Sequence, residues 1–225
     1  MSPPPSPQTP LYTRQLKLGP MDNFVYLVGA ADAPEVLVVD PAWDVPAIER
    51  ALQEDGKRLV GAFVSHCHKD HINGLGELLC RHDVPVYAQR EEVDFSPDLR
   101  EHAGALKPLS PGDTLQVGPR AFRALHTPGH TPGSQCLHAE DALVSGDTVF
   151  INGCGRCDLR GGDPEAMYRS LTGVLGRLPD GTRLLPGHDY ADVPVAPLSD
   201  VRAKNPYFGF PDVASFVAFR MRPRR

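Results

Sequence analysis

Hydrophobic positions along this chain follow two different rhythms. "LYTRQLKL" (11–18), "NFVYLVG" (23–29) and "EVLVVD" (35–40) are short runs rich in Leu, Val, Phe and Tyr, separated by "GPMD" and "AADAP". Runs of that length between turn residues predict a meander of strands. The rhythm then changes: Val45, Ile48, Ala51 and Leu52 in "VPAIERALQED" recur at three- and four-residue spacing, which predicts an amphipathic helix. "RLVGAFVS" (58–65) predicts a further buried strand, and "LGELLCRH" (75–82) a helix behind it.

The second half repeats the rhythm without repeating the sequence. "TLQV" (114–117), "AFRALH" (121–126), "QCLHA" (135–139) and "ALVSGD" (142–147) predict strands, and "RLLPGHDY" (183–190) a strand that ends in polar residues. Between them "PEAMYRSLTGVLGRL" (164–178) predicts one continuous amphipathic helix, with Asp163 as its cap and Pro164 in its first turn. Two strand-then-helix halves predict an α/β sandwich. No fixed-period repeat and no internal linker interrupts it, so residues 11–225 read as a single catalytic domain. The prolines of "MSPPPSPQTP" predict a flexible leader over residues 1–10.

Composition narrows the partners more than the fold. At 225 residues and 41% hydrophobic content the chain can bury one sizeable core. A formal net charge of -5 gives no electrostatic reason for a nucleic-acid groove or an anionic membrane surface, and no run approaches the ~20 apolar residues that a bilayer requires. The amino-terminal stretch has neither a basic segment nor an apolar one, so a cytoplasmic location is expected. Five cysteines do not form a secreted disulfide framework, and most are expected as reduced thiols. The apolar tail "FGFPDVASFVAF" (208–219) suits packing on the core or against a second subunit, as in a homodimer.

The chemistry is concentrated at strand ends. "VSHCHKDHINGLGELL" (64–79) crowds His66, His68, Asp70 and His71 into six positions straight after an apolar strand. Residues two apart in a loop leaving a strand can aim at one point, so His66 and His68 can share one ion while Asp70 and His71 face a second. His130 in "HTPGHTPGS", Asp147 in "SGDTVF" and His188 in "LLPGHDY" each follow an apolar strand and are flanked by Gly or Pro. Imidazole and carboxylate donors suit Zn, Fe or Mn, and a divalent cation replaces the mutual repulsion of protonated histidines with coordination. His82, His102, His126 and His138 fall outside this pattern and read as ordinary surface or core residues.

With these seven residues in this order, the chain resembles the metallo-β-lactamase superfamily. The H-x-H-x-D-H motif matches 66–71, and His130, Asp147 and His188 match the later ligands, over residues 11–208 in all. The resemblance implies the αβ/βα sandwich, with the site along one sheet edge. "GPMDNFVYLVG", "HTPGHTPGS", "GCGR" and "GHDY" are similar to the glyoxalase II and persulfide dioxygenase branch, which acts on glutathione-type thiols. The chain departs from glyoxalase II in two respects: Asp158 stands where an aromatic residue is expected, and only 37 residues follow His188, where a separate helical domain is expected. It is closer to persulfide dioxygenases in Gly-Cys-Gly-Arg-x-Asp (153–158), in His188-Asp189-Tyr190 and in "RAKNP" (202–206).

That resemblance implies one Fe(II) per chain held by His66, His130 and Asp147, with His68, Asp70, His71 and His188 as supporting residues or as ligands of a second metal. A two-histidine, one-carboxylate face leaves positions open for substrate sulfur and O2. The implied reaction converts glutathione persulfide, or a similar small thiol persulfide, with O2 and water into sulfite and the free thiol. The alternative is a glyoxalase II-type thioester hydrolase with two Zn(II) ions. Arg156 and Arg202 are expected to anchor the carboxylates of the thiol carrier, and Tyr190 to bring a catalytic hydroxyl near the metal. Asp158 can instead tie Arg156 into the loop as structural support. Cys154 and Cys157 form a C-x-x-C outside any thioredoxin-like strand-to-helix opening, and Cys67 reads as a small filler between two ligands.

Overall fold

The computed structural model describes residues 9–222. Nearly all of the proline-rich leader expected over 1–10 therefore lies outside the described residues. Its last residue is fixed: the Pro10 carbonyl accepts a hydrogen bond from the Ala31 amide at 2.8 Å.

Twelve strands form two six-stranded sheets, and alternation along the strands decides how they stack. In the first sheet β1 (Leu11–Leu18), β2 (Asn23–Ala30) and β3 (Glu35–Val39) pair antiparallel, then β4 (Arg58–Phe63), β5 (Val86–Gln89) and β6 (Leu106–Leu109) continue in parallel. Val25 and Leu27 of β2 face one core and Phe24, Tyr26 and Val28 face another, so the strand is covered on both sides. The outer core is closed by α1 (Val45–Glu54) and α3 (Leu75–Arg81), through Val45, Ile48, Leu75 and Leu78. Asp44 caps α1 by accepting from the Ala47 amide at 2.9 Å.

The second sheet runs β7 (Thr114–Val117), β8 (Arg120–His126), β9 (Gln135–Ala139), β10 (Ala142–Gly146), β11 (Arg183–Pro186) and β12 (Ala196–Pro197), with only the β10–β11 pair parallel. Its inner face meets the first sheet through Phe122, Ala124, Leu137, Val144 and Leu185 against Phe24, Tyr26, Leu37 and Phe63. Its outer face is covered by α6 (Pro164–Arg169), α7 (Leu198–Lys204) and α8 (Val213–Arg220), through Met167, Leu198, Val201 and Phe216. The layers are therefore helix, sheet, sheet, helix, as the two-half pattern predicts. The apolar tail packs on this chain's own core, with Phe216 fully buried against Tyr168 and Tyr207. No helix among the described residues is long and apolar enough to cross a membrane.

Two stretches differ from the sequence reading. The helix expected over 164–178 ends at Arg169 and continues as a wide turn over Ser170–Val174 and a tight one over Leu175–Arg177. Gly173, Gly176, Thr172 and Val174 are all poor helix formers, and the Ser170 hydroxyl leaves the helix to bond the Pro128 carbonyl at 2.7 Å. The segment 83–109, unassigned from the sequence, holds β5, two short helices α4 (Arg90–Phe95) and α5 (Pro97–Arg100), and β6. Four-residue strands that turn directly into a helix give too few positions for a period to emerge. Pro108 sits in β6, an edge strand, where its missing N–H costs no ladder bond.

The tail also reaches the loop that follows Asp147. Arg220, 6% exposed, donates through Nε and Nη2 to the Gly155 carbonyl at 3.0 and 2.8 Å. A charge-assisted hydrogen bond in a buried place is worth about 1.5–3 kcal/mol. Arg220→Met, which keeps the stem and removes the donors, is expected to lower the unfolding free energy by about that amount in urea denaturation. An unchanged midpoint would show that the carbonyl needs no partner there.

Candidate metal centre

The site lies where the ends of both sheets converge. The Phe24 amide donates to the Gly187 carbonyl at 2.8 Å, and Tyr26 Oη to the Pro186 carbonyl at 2.7 Å, which locks the start of β2 to the end of β11. Around that junction the structure gathers all seven predicted donors. His66 and His68 leave β4 in an extended loop, whereas Asp70 and His71 sit on a single helical turn, α2 (Lys69–Ile72). His130 comes from the loop after β8, Asp147 from the end of β10 and His188 from the end of β11.

They form two groups. The ligating atoms of His66, His68 and His130 lie within 4.8 Å of one another, and so do those of Asp70, His71 and His188. Asp147 stands between the groups. Its Oδ1 is 3.4 Å from His71 Nε2 and 3.3 Å from His188 Nε2, and its Oδ2 is 3.5 Å from His130 Nε2.

Four of the five imidazoles are oriented through their other nitrogen. His130 Nδ1 donates to the Arg156 carbonyl at 2.7 Å and His188 Nδ1 to the Met21 carbonyl at 2.9 Å, while His71 Nδ1 bonds Asp40 Oδ2 at 3.0 Å. The Ser65 hydroxyl gives its proton to Asp40 Oδ2 at 2.6 Å and so accepts from His66 Nδ1 at 3.0 Å. Four Nε2 atoms are thereby turned inward, the arrangement that fixes a ligand's tautomer. Gly155 makes room for this: a Cβ there would lie 2.1 Å from the Asp147 carbonyl oxygen and 2.9 Å from the His130 ring.

The donors fit a divalent cation on grounds of charge and satisfaction. His66 Nε2, His130 Nε2 and Asp147 Oδ1 are buried and make no directed hydrogen bond. His71 Nε2 and His188 Nε2 face each other at 3.2 Å with both Nδ1 atoms already donating, a contact that calls for a positive charge between them. Burial, with the neighbouring histidines, holds the His66 pKa well below its ordinary value, so this ring is neutral as a ligand must be. Burial works the same way on His71, but the carboxylates of Asp147, Asp40 and Asp70 outweigh it and lift that pKa well above the ordinary value. This half of the site attracts cations.

Several residues that hold the site have no sequence signal of their own. Asp40, at the end of β3, adopts a left-handed backbone at φ 54° and accepts from the Ser65 amide at 2.6 Å as well as from the Ser65 hydroxyl and His71. Asn23 donates to Asp70 Oδ2 at 2.9 Å and is itself held by Trp43 Nε1 at 2.8 Å. A carboxylate or amide closing a strand is common in any sheet. Only the pairing of β3 with β4 brings Asp40 beneath the histidines.

A cavity of about 690 Å³ opens over the donors, lined by His68, Asp70, His130, Asp147 and His188, with Met21, Phe150, Leu159, Tyr190 and Tyr207 as apolar walls. Tyr190 is in it, half exposed, with its ring stacked on His188 at 4.6 Å and its hydroxyl 3.4 Å from the Met21 carbonyl. Arg156 lines the cavity too, but its Nε and Nη2 are taken by both oxygens of Asp158 at 3.0 and 2.8 Å. Cys154 is a buried wall residue, and burial pushes the Cys157 thiol up to about 11, away from a reactive thiolate.

Arg202 is corrected. The expectation that it anchors a substrate carboxylate fails, because it is not among the cavity residues and both of its Nη nitrogens are bonded elsewhere. Nη1 bonds Asp180 Oδ1 and Nη2 bonds the carbonyls of Leu175 and Leu178, each at 2.6 Å. Those carbonyls are freed where the helix after α6 unwinds, so Arg202 closes that irregular turn.

Comparison with known proteins agrees with this architecture. The model of the "Metallo-beta-lactamase superfamily" matches residues 18–188. The chain belongs to the metallo-beta-lactamase superfamily. It is 32% identical over 200 residues to the "Probable polyketide biosynthesis zinc-dependent hydrolase BaeB" of Bacillus velezensis, covering 89% of this chain and 88% of that one. It is 40% identical to the hydroxyacylglutathione hydrolase of Alkalilimnicola ehrlichii over 75% of its own length and 62% of the relative's. The crystal structure of ETHE1 from Myxococcus xanthus superposes with a TM-score of 0.83 at 28% identity, covering 95% of this chain and 92% of that one.

Arg202 gives a direct check. Arg202→Ala is expected to lower the melting temperature by about 3–8 °C, the equivalent of one or two charge-assisted hydrogen bonds in a chain of this size, while leaving metal content unchanged. A raised KM with an unchanged melting temperature would instead return Arg202 to the site as a substrate anchor.

Proposed function

We propose that the protein is a metal-dependent hydrolase of thioesters, acting on a small acyl-thiol at a centre of two divalent ions. The position of the Asp147 carboxylate carries this reading. With one oxygen toward His130 and the other toward His71 and His188, it could be shared between two ions, with the unsatisfied Nε2 atoms of His66 and His130 on one side of it and the mutually facing Nε2 atoms of His71 and His188 on the other. His66, His68 and His130 would hold one ion, and Asp70, His71 and His188 the other. Two such ions supply Lewis acidity toward a carbonyl and a water of lowered pKa.

The chain's own residues supply the rest. Met21, Phe150, Leu159 and Tyr207 form an apolar wall that suits the acyl and thiol carbons and excludes water from them. Tyr190, a phenol that stays protonated at neutral pH, is a hydrogen-bond donor at the mouth. Lys69 lines the cavity and forms no ion pair among the described residues, so it is the cation available for an anionic group on the thiol carrier. Arg156 is neutralised by Asp158 and serves mainly to keep its own carbonyl under His130. The names carried by these two relatives, both hydrolases, support the same reading.

A second reading is favoured by one observation. The ETHE1 structure matches this chain almost end to end, with 92% of it covered, whereas only 62% of the hydroxyacylglutathione hydrolase is covered. Together with the Gly-Cys-Gly-Arg-x-Asp stretch, this supports a persulfide dioxygenase with one iron on His66, His130 and Asp147.

Metal analysis and oxygen uptake separate the two. The hydrolase is expected to retain two divalent ions per chain and to release free thiol from S-lactoylglutathione or acetyl thioesters without consuming O2. His188→Ala is expected to remove one of the two ions. One iron per chain, retained in His188→Ala, with O2 uptake and sulfite release from glutathione persulfide, would establish the dioxygenase instead.

A further inference from the structure

The three-histidine group rests on a buried carboxylate that neither the motif nor the cavity includes. Glu92, on α4, is fully buried. Its Oε1 accepts from the Cys67 amide at 2.7 Å, and its Oε2 accepts from the Thr131 hydroxyl at 2.8 Å and from the Gly133 amide at 2.8 Å. Cys67 stands between His66 and His68, and Thr131 follows His130. One carboxylate therefore joins the two loops that carry all three histidines of that group.

The hydrogen-bond arithmetic requires a carboxylate at this place. Backbone N–H groups face both oxygens, Cys67 at Oε1 and Gly133 at Oε2, and the Thr131 hydroxyl gives its proton to Oε2, so that the Ser134 hydroxyl 2.7 Å away is the donor to Thr131. All three contacts of Glu92 are then acceptor contacts, and an amide has an acceptor on only one of its two ends. Contact between the loop and α4 is direct: a Cβ on Gly133 would lie 2.2 Å from the Glu92 amide nitrogen, so only glycine lets the loop seat there. No cationic side chain pairs with Glu92 among the described residues. A buried anion without such a partner is expensive, and it becomes favourable when a cation is bound close by.

We propose that Glu92 is a positioning residue of the metal centre. It sets the separation of the His66–His68 and His130 loops and adds a fixed negative charge behind them, and so raises the affinity of the His66, His68 and His130 group for its ion. This rests on the metal-centre reading of the seven donors and is independent of which reaction the centre serves.

The test measures metal affinity rather than turnover. Apo-protein is titrated with Co(II) against a chelator, and the two halves are followed by stoichiometry and by the visible ligand-field spectrum. Glu92→Gln is expected to weaken the ion of the three-histidine group by about 10- to 100-fold, the range for residues that orient ligands, and to leave the other ion at its wild-type affinity. Thr131→Val, which removes a single donor and keeps the shape, is expected to give a smaller loss at the same half and decides the matter if Glu92→Gln does not fold. Leu99→Ala, a buried core change in α5 that removes no hydrogen bond to Glu92, controls for general destabilisation. Wild-type affinity in the Glu92 or Thr131 variant, or an equal loss in Leu99→Ala, would overturn the proposal. A wild-type chain that binds no Co(II) would overturn the centre itself.

Discussion

Much of this structure answers one electrostatic demand: a concentration of lone pairs, four of them on imidazoles whose outer nitrogens are already committed, converging on a carboxylate with an unsatisfied oxygen. Without a cation these groups would repel one another or take up protons, and the raised pKa of His71 is that pressure expressed as proton affinity. The same arrangement stabilises a bound divalent ion, because the protein has already met the cost of orienting and desolvating the donors. The site is therefore held under tension by the fold, with stability given up locally and recovered from the cores around it.

The sandwich is suited to bearing that load. Each donor leaves the end of a strand or the first turn beyond it, and the strands themselves are covered on both faces, so their ends are fixed to a fraction of an ångström by packing far from the site. Tyr26 shows the coupling. Its ring is buried between the sheets while its hydroxyl donates to Pro186, two residues before His188. Arg220 does the same from the opposite side, holding the Gly155 carbonyl while the next residue's carbonyl receives the His130 proton. A C-terminal helix that never approaches the donors thus helps set the direction of one of them.

The cavity above the donors has apolar side walls, and its arginine is internally neutralised. This separates the problem of holding metal from the problem of choosing substrate. The donors come from short loops and single turns with almost no freedom, whereas the walls come from Met21, Leu159, Tyr190 and Tyr207, contributed by four separate connections. Residues of that kind can change without disturbing the centre, which is consistent with relatives of one fold bearing the names of different activities.

The sequence by itself determined the layers and the donor set. Short apolar runs between turn residues, followed by period-3.6 helices, leave few alternatives to a two-sheet sandwich, and seven candidate donors spaced after apolar runs mark strand ends whatever the strands later pair with. What only the tertiary structure decided is everything that depends on one loop meeting another. Asp40, Asn23 and Glu92 look like any polar residue beside a strand or in a helix until β3 is paired with β4 and α4 is set against the loop after β8. Arg202 looked like a substrate anchor because a guanidinium suits a carboxylate, but the carbonyls it satisfies exist only because the helix after α6 unwinds at two glycines. The short pieces between 83 and 109 escaped for a related reason. A strand of four residues has no period to read, and it is the ladder with its neighbours that holds it in place.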